Sequence, residues 1–288
     1  MTRNKALIAS FISAILLVNM GFRTAPAPSQ TRQIIDNMVA AIAKHQGVTF
    51  IMDATERIVG KPNENNQIEM FAKVNVNPLK IYGKVLKDPN KGTQLLYVTG
   101  KHDNKIRVKS GWLPALSLLP TSGLLTKNQH HTLLTSGFII VNKIVADGIK
   151  RADTRNAFET VFKYVGDVVY KNRNCYKVVI DDPTYAYTTA VGQKGETVIA
   201  LARRLLVSEY HIMDLNPSSR SLDDDVSGKT IRVPSSYAKK TILYIDKETN
   251  FPLYQEMSDE RGIYEKYEYS NLVVNPAFND KDFSEDIF

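Results

Sequence analysis

Residues 240–269 read KTILYIDKETNFPLYQEMSDERGIYEKYEY, and this stretch decides the fold. Three runs in it, 240–245, 253–257 and 263–269, are rich in β-formers, and polar turn clusters at 246–250 and 259–262 divide them. Gaps this short leave no room for a crossover helix, so neighbouring runs must pair antiparallel. The same texture runs upstream through 48–52, 69–76, 79–86, 94–99 and 105–108, with turns at 61–66, 88–92 and 102–104. Strand-like runs recur at 157–165 and 175–180. A helix is predicted over 31–44, where Ile34, Met38 and Ile42 recur every four residues and Gly47 stands in place for a left-handed end. Between 113 and 151 the chain turns apolar, with Leu116, Leu118, Leu119, Leu124 and Leu125 broken by Pro120 and Gly123. This part is predicted to be short helices lying on the open face of the sheet.

Residues 187–237 interrupt the strand pattern. A short strand at 187–191 leads through Gly192-Gln193-Lys194-Gly195 into GETVIALARRLLVS at 195–208, where Val198, Leu201, Ala202 and Leu205 make one apolar helical face. Ser208 is placed to cap a second helix carrying Ile212, Met213 and Leu215, which Asn216-Pro217 ends. A polar loop then feeds a strand at 229–234. The order is βααβ. With Gly195-Glu196-Thr197-Val198, Ile199-Ala200, Leu215-Asn216, Gly228 and Ile231-Arg232-Val233-Pro234 in place, the segment resembles a LysM module. Glu196 and Val198 stand where that family usually has Asp and Leu. The resemblance implies binding of N-acetylglucosamine-containing glycan such as peptidoglycan, in a groove between Gly195, Glu196, Thr197 and Val198 on one side and Asn216, Pro217, Ser218 and Ser219 on the other. The plain alternative is that these residues only hold the βααβ unit together.

The flanking chain, 26–186 with 238–288, resembles the LolA-like superfamily of periplasmic lipoprotein carriers. The letters that carry this are Asp246, Phe251-Pro252-Leu253, Gly262, Tyr267, Asn275-Pro276 and Asp282-Phe283. It implies an α+β fold, an antiparallel half-barrel sheet with a helical lid, into which the βααβ LysM domain at 187–237 is inserted. It also implies an interior able to shelter a lipid or lipoprotein. The same leucines fit a closed core with no ligand, as in an envelope structural or sensing protein.

Residues 1–25 have a basic start and a charge-free apolar run, the form of a secretory signal, or of an uncleaved anchor because Pro26 and Pro28 crowd the cleavage site. The protein is expected to be exported to the periplasm or cell envelope. Three basic residues, Arg3, Lys5 and Arg23, lie within 1–25, so the net charge of +7 falls to about +4 for the rest, and no basic stripe points to nucleic acid. Cys175 is the only cysteine, set in a strand-like run as a core hydrophobe. No catalytic or metal-binding constellation and no cofactor motif is recognisable. Ser236-Tyr237-Ala238-Lys239 sits at the insert boundary rather than a helix start, Asp223-Asp224-Asp225 lacks the spacing of a calcium loop, and His130-His131 reads as a solvated loop. The ends of an inserted segment usually lie close together, so a chain lacking 187–237 is expected to fold.

Overall fold

A computed structural model describes residues 27–288; the signal or anchor expected at 1–25 lies outside the described residues. The first element is α1 (Gln30–Lys44), capped by the Ser29 hydroxyl, which accepts from the Arg32 N–H. Its Ile34, Ile35, Met38 and Ile42 are buried, as their spacing predicts. The helix ends without a left-handed residue, because His45 is extended and Gly47 opens β1 (Gly47–Ile58). Gly47 is needed there for close approach: a Cβ would lie 2.8 Å from the Val74 carbonyl oxygen and from the Phe278 ring.

The meander continues with β2 (Lys61–Asn75), β3 (Lys80–Val85), β4 (Gln94–Val98), β5 (Ile106–Lys109) and β6 (Leu116–Leu118). After α2 (Gly123–Thr126), α3 (Ile139–Thr154) and α4 (Phe158–Val161) come β7 (Phe162–Tyr170) and β8 (Arg173–Asp181). The insert holds β9 (Tyr187–Val191), α5 (Val198–Leu205), α6 (Glu209–Leu215) and β10 (Thr230–Pro234). β11 (Lys240–Asp246), β12 (Pro252–Asp259) and β13 (Gly262–Val274) complete the chain's strands.

Eleven strands form one antiparallel sheet in the order β6-β5-β4-β3-β2-β1-β13-β12-β11-β8-β7. The sheet is curved and open, with β6 and β7 at its edges, giving the α+β architecture that the sequence implies. It runs unbroken past the insert, since β8 pairs with β11 from Asp181↔Lys240 to Cys175↔Asp246. β9 and β10 form a separate two-stranded ribbon, and Val198, Leu201, Ala202, Ile212, Val226 and Ile231 pack into a cluster of their own.

Two local expectations are corrected. Residues 116–118 are a strand rather than helix, because the Ile106↔Leu118 and Val108↔Leu116 pairings to β5 satisfy their backbone. Leu116, Leu119 and Leu124, with Trp112, face solvent rather than the sheet. The run expected as strand from 157 begins with α4, whose Phe158 and Val161 are buried, and strand geometry starts at Phe162. The cover over the sheet is supplied by α1 and α3, the latter through Val145, Ile149 and Ala152. Among the described residues no helix is long and apolar enough to cross a membrane.

Candidate functional site

Inward positions of a strand recur every second residue, so each strand writes its contribution to the interior as an alternate-letter word. On β1 these are Phe50, Met52, Ala54 and Glu56; on β12 they are Leu253, Gln255, Met257 and Asp259; on β13, Glu265, Tyr267 and Tyr269. Between this face and α3 lies a cavity of about 190 Å³. Its wall is largely apolar: Met70, Leu95 and Ile106 from the sheet, Leu133, and Ile140, Val141, Ile144 and Val145 from α3. Glu56, His131, Tyr237, Gln255 and Tyr267 also line it.

Behind these residues is a buried acid–histidine cluster. His130 sits with Nδ1 2.8 Å from Glu265 Oε1 and Nε2 2.6 Å from the Arg57 carbonyl oxygen. Both neighbours are acceptors, a setting that favours the doubly protonated, cationic ring. Burial by itself lowers its pKa, but Glu56 and Glu265 outweigh burial and raise it. His131 has Nδ1 2.9 Å from Glu209 Oε2, and Tyr237 Oη is 3.0 Å from its Nε2. Here too burial opposes the charge, and Glu209 and Glu265 prevail, raising the pKa well above the ordinary value. Glu265 also accepts from Ser208 Oγ at 3.0 Å and from Tyr237 Oη at 2.7 Å. Burial would push its carboxyl up; His131 and His130 hold it far below the usual range instead. Glu56 completes the group, accepting from the His130 backbone N–H and from Tyr267 Oη.

The histidine pair is therefore no solvated loop, which corrects the sequence reading. Its partners are 74 and 135 positions away along the chain, so no local pattern announces them. Three members of the cluster come from the insert: Ser208, which donates to Glu265, and Glu209 stand at the start of α6, and Tyr237 lies at the insert's end. Tyr210 also stacks on His130 with ring centroids 4.3 Å apart. A second buried set lies beside it. Arg57 donates to Asp259 Oδ2 at 2.8 Å and to the Gly262 and Ile263 carbonyls, while His211 Nε2 is 3.5 Å from the same Asp259 oxygen.

Of the residues singled out for sugar contact, several are engaged inside the insert. Glu196 accepts from the Gln193 N–H at 2.8 Å and from Arg204 Nε at 2.6 Å, and the Arg204 bond holds its carboxyl below the usual range. Thr197 caps α5 through the Ala200 N–H, and Val198 is fully buried. Asn216 ties the end of α6 to β10: its amide donates to the Ile212 and Arg232 carbonyls and its oxygen accepts from the Arg232 N–H. Ser219 is buried, whereas Gly195, Pro217 and Ser218 are exposed. Gly195 has φ +73°, which its lack of a side chain permits. Among the described residues no hydrogen bond joins the two loops; the Asp224 and Leu222 carbonyls accept from Val198 and Ile199 instead.

The remaining sequence candidates take plain roles. Cys175 is buried, and burial pushes its thiol up to about 11. Ser236 donates to the Ala238 carbonyl, and Asp224 and Asp225 accept within their own turn. Among the described residues no group of His, Cys, Asp and Glu side chains is arranged to hold a metal ion.

No curated protein matches the chain. The family described as protein of unknown function, DUF1571, matches residues 45–208, from two residues before β1 to the residue before α6. Among solved structures, the chain is similar to lipoprotein LppX of Mycobacterium tuberculosis, with 12% identity, 86% of this chain and 96% of that one covered, and a TM-score of 0.40. The Pseudomonas aeruginosa MucA/MucB complex matches at 9% identity over 89% of this chain with a TM-score of 0.38, and the match spans only 61% of that chain. The LolA superfamily protein NE2245 of Nitrosomonas europaea matches at 7% identity, with 91% of this chain and 100% of that one covered and a TM-score of 0.30.

Proposed function

The chain belongs to the DUF1571 family of proteins of unknown function, and from its own interior we propose that it is a non-enzymatic cell-envelope protein that shelters a lipid or the acyl part of a lipoprotein beneath α3. The observation that carries this reading is the cavity itself. A closed core would fill the space between sheet and helix with side chains, whereas here Met70, Leu95, Ile106, Ile140 and Ile144 surround open volume. Apolar walls with a few placed polar groups are the usual form of a small-molecule site. The basic and apolar residues of 1–25 support the envelope location.

Protein purified from its native envelope is expected to yield a reproducible acyl-bearing molecule by mass spectrometry of its lipid extract. Ala54→Phe places a ring in the cavity from the centre of β1 and is expected to reduce that yield several-fold, with at most a small loss of stability. Extracts free of acyl ligand would favour the envelope structural or sensing role instead.

A second reading concerns 187–237, which we propose to be a LysM-type module gripping N-acetylglucosamine-containing glycan, peptidoglycan in the first place. It is supported by the βααβ order, by the left-handed Gly195 at the entry to α5 and by the Asn216 clamp at the exit of α6. The proposed contacts are Gly195, Glu196, Thr197, Val198, Asn216, Pro217, Ser218 and Ser219. The backbone of the buried members and the exposed surfaces of Gly195, Pro217 and Ser218 would meet the sugar. Insoluble peptidoglycan is expected to retain the full chain in a pull-down and to retain Ser218→Glu several-fold less. Equal retention of the two, or none of either, removes this reading.

A further inference from the structure

We propose that the polar end of the cavity selects a neutral acyl ester or amide over a free carboxylate, through the Gln255 amide and the Thr132 hydroxyl; this rests on the reading of the cavity as an acyl-chain site. Gln255 occupies an inward position of β12 where the alternation of Leu253 and Met257 calls for an apolar residue. It is 3% exposed, and its Nε2 has no hydrogen-bond partner. Thr132 is 4% exposed, and its Oγ1 has none either. Both residues line the same cavity. They also share a neighbour: Gln255 stands opposite Tyr267 in the β12–β13 ladder, and Thr132 follows His131, whose ring centroid is 6.3 Å from that of Tyr267. An unsatisfied buried donor costs about 1–3 kcal/mol. On the same wall His131 Nδ1 and Arg151 Nε also make no hydrogen bond but already face Glu209 and Asp147, which leaves Gln255 and Thr132 as the neutral donors to mark where an acceptor belongs.

The charge around that place decides which acceptor. Glu56, Glu209 and Glu265 stand against the two imidazoles of His130 and His131. An incoming carboxylate would add a fourth acid to a buried group already short of cations, and would have to shed its water to do so. A neutral carbonyl accepts the Gln255 N–H and Thr132 O–H without burying charge. The charged residues on the cavity wall are Glu56, His131, Arg151 and Asp182. Arg151 is the rival anchor for an acid; its charge is already met by Asp147, 3.2 Å from Nε, and Nη1 donates to the Ser235 carbonyl, although Nε itself makes no hydrogen bond. Asp182, for its part, is paired with Arg155.

The test is competition on the purified full chain between monolauroylglycerol and laurate, each displacing the fluorescent probe N-phenyl-1-naphthylamine at pH 8 below its micellar concentration. The ester is expected to displace the probe at a roughly tenfold lower concentration than the acid, the ratio one or two well-made hydrogen bonds supply. Gln255→Leu is expected to bring that ratio below about threefold, and Thr132→Val, a change of similar volume, to lower it independently should the first variant fold poorly. Equal displacement by ester and acid in the unmodified protein overturns the selectivity while leaving the acyl-chain site in place. An unchanged ratio in both variants overturns the assignment to these two side chains. Displacement by neither ligand overturns the acyl-chain reading and the selectivity with it.

Discussion

A chain from which 187–237 has been removed, with its ends rejoined by a short glycine-serine bridge, is expected to lose its cooperative unfolding transition. The ends do lie close: Asp182 N–H donates to the Lys239 carbonyl, and Ser235 N–H to the Ala186 carbonyl. Proximity of ends is what makes insertions removable in general, and from sequence alone that argument predicts survival. The contacts argue otherwise. Tyr210 of α6 is fully buried within the main core, stacked against both His130 and Tyr264. Truncating one such aromatic to alanine typically costs about 3–5 kcal/mol, a large part of the 5–15 kcal/mol that holds a typical domain together. The deletion also strips Ser208 and Glu209 from Glu265 and His131, and His211 and Asp214 from Asp259 and Arg261. Thermal unfolding followed by circular dichroism decides it. A remnant that melts cooperatively within a few degrees of the full chain would show that the core closes without α6.

Glu265→Ala is expected to lower the midpoint of thermal unfolding by roughly 10 °C. Breaking a buried charge pair from one side costs about 3–5 kcal/mol because the remaining partner is left uncompensated, and each kcal/mol moves the midpoint of a protein this size by about 2–4 °C. Here the single carboxylate serves His130, Tyr237, Ser208 and, at 3.5 Å, His131. All of these groups remain buried when it goes. Glu265→Gln keeps the shape and one acceptor oxygen but not the charge, so it is expected to fall between the two. A midpoint for Glu265→Ala within 2–3 °C of the unmodified chain would mean that the cluster relaxes onto water at little cost, contrary to the general penalty for unpaired buried charge.

The sheet was readable because its strands alternate and its turns are polar and short, as in 240–269, where three predicted runs became β11, β12 and β13. The βααβ order of the insert was readable because Gly192-Gln193-Lys194-Gly195 and the apolar face of α5 give a helix entry and period, with Thr197 as the cap the structure adds. What failed had no period of its own. Residues 116–118 contain leucine enough for a helix, and only the edge of β5 makes them a strand. His130 and His131 sit in an aperiodic stretch and take their meaning from Glu56, Glu209 and Glu265. Yet the other half of that cluster left a trace. Glu56, Gln255 and Glu265 fall in phase with the inward apolar letters of their strands, and a polar residue in an inward register position needs a partner or a ligand. Reading the phase, rather than the proportion, of hydrophobic residues would have pointed to them.

The insert meets its host without a tether. Its first and last residues continue into paired rungs of β8 and β11, and the start of α6 is set into the host's interior. A module on a flexible linker can swivel; this one has no axis about which to do so. Any torque applied to 187–237 is delivered within one or two side chains, through Glu209 to His131, to the wall of the cavity. Were the insert to grip peptidoglycan as proposed, that glycan would thereby set the compass bearing of the cavity.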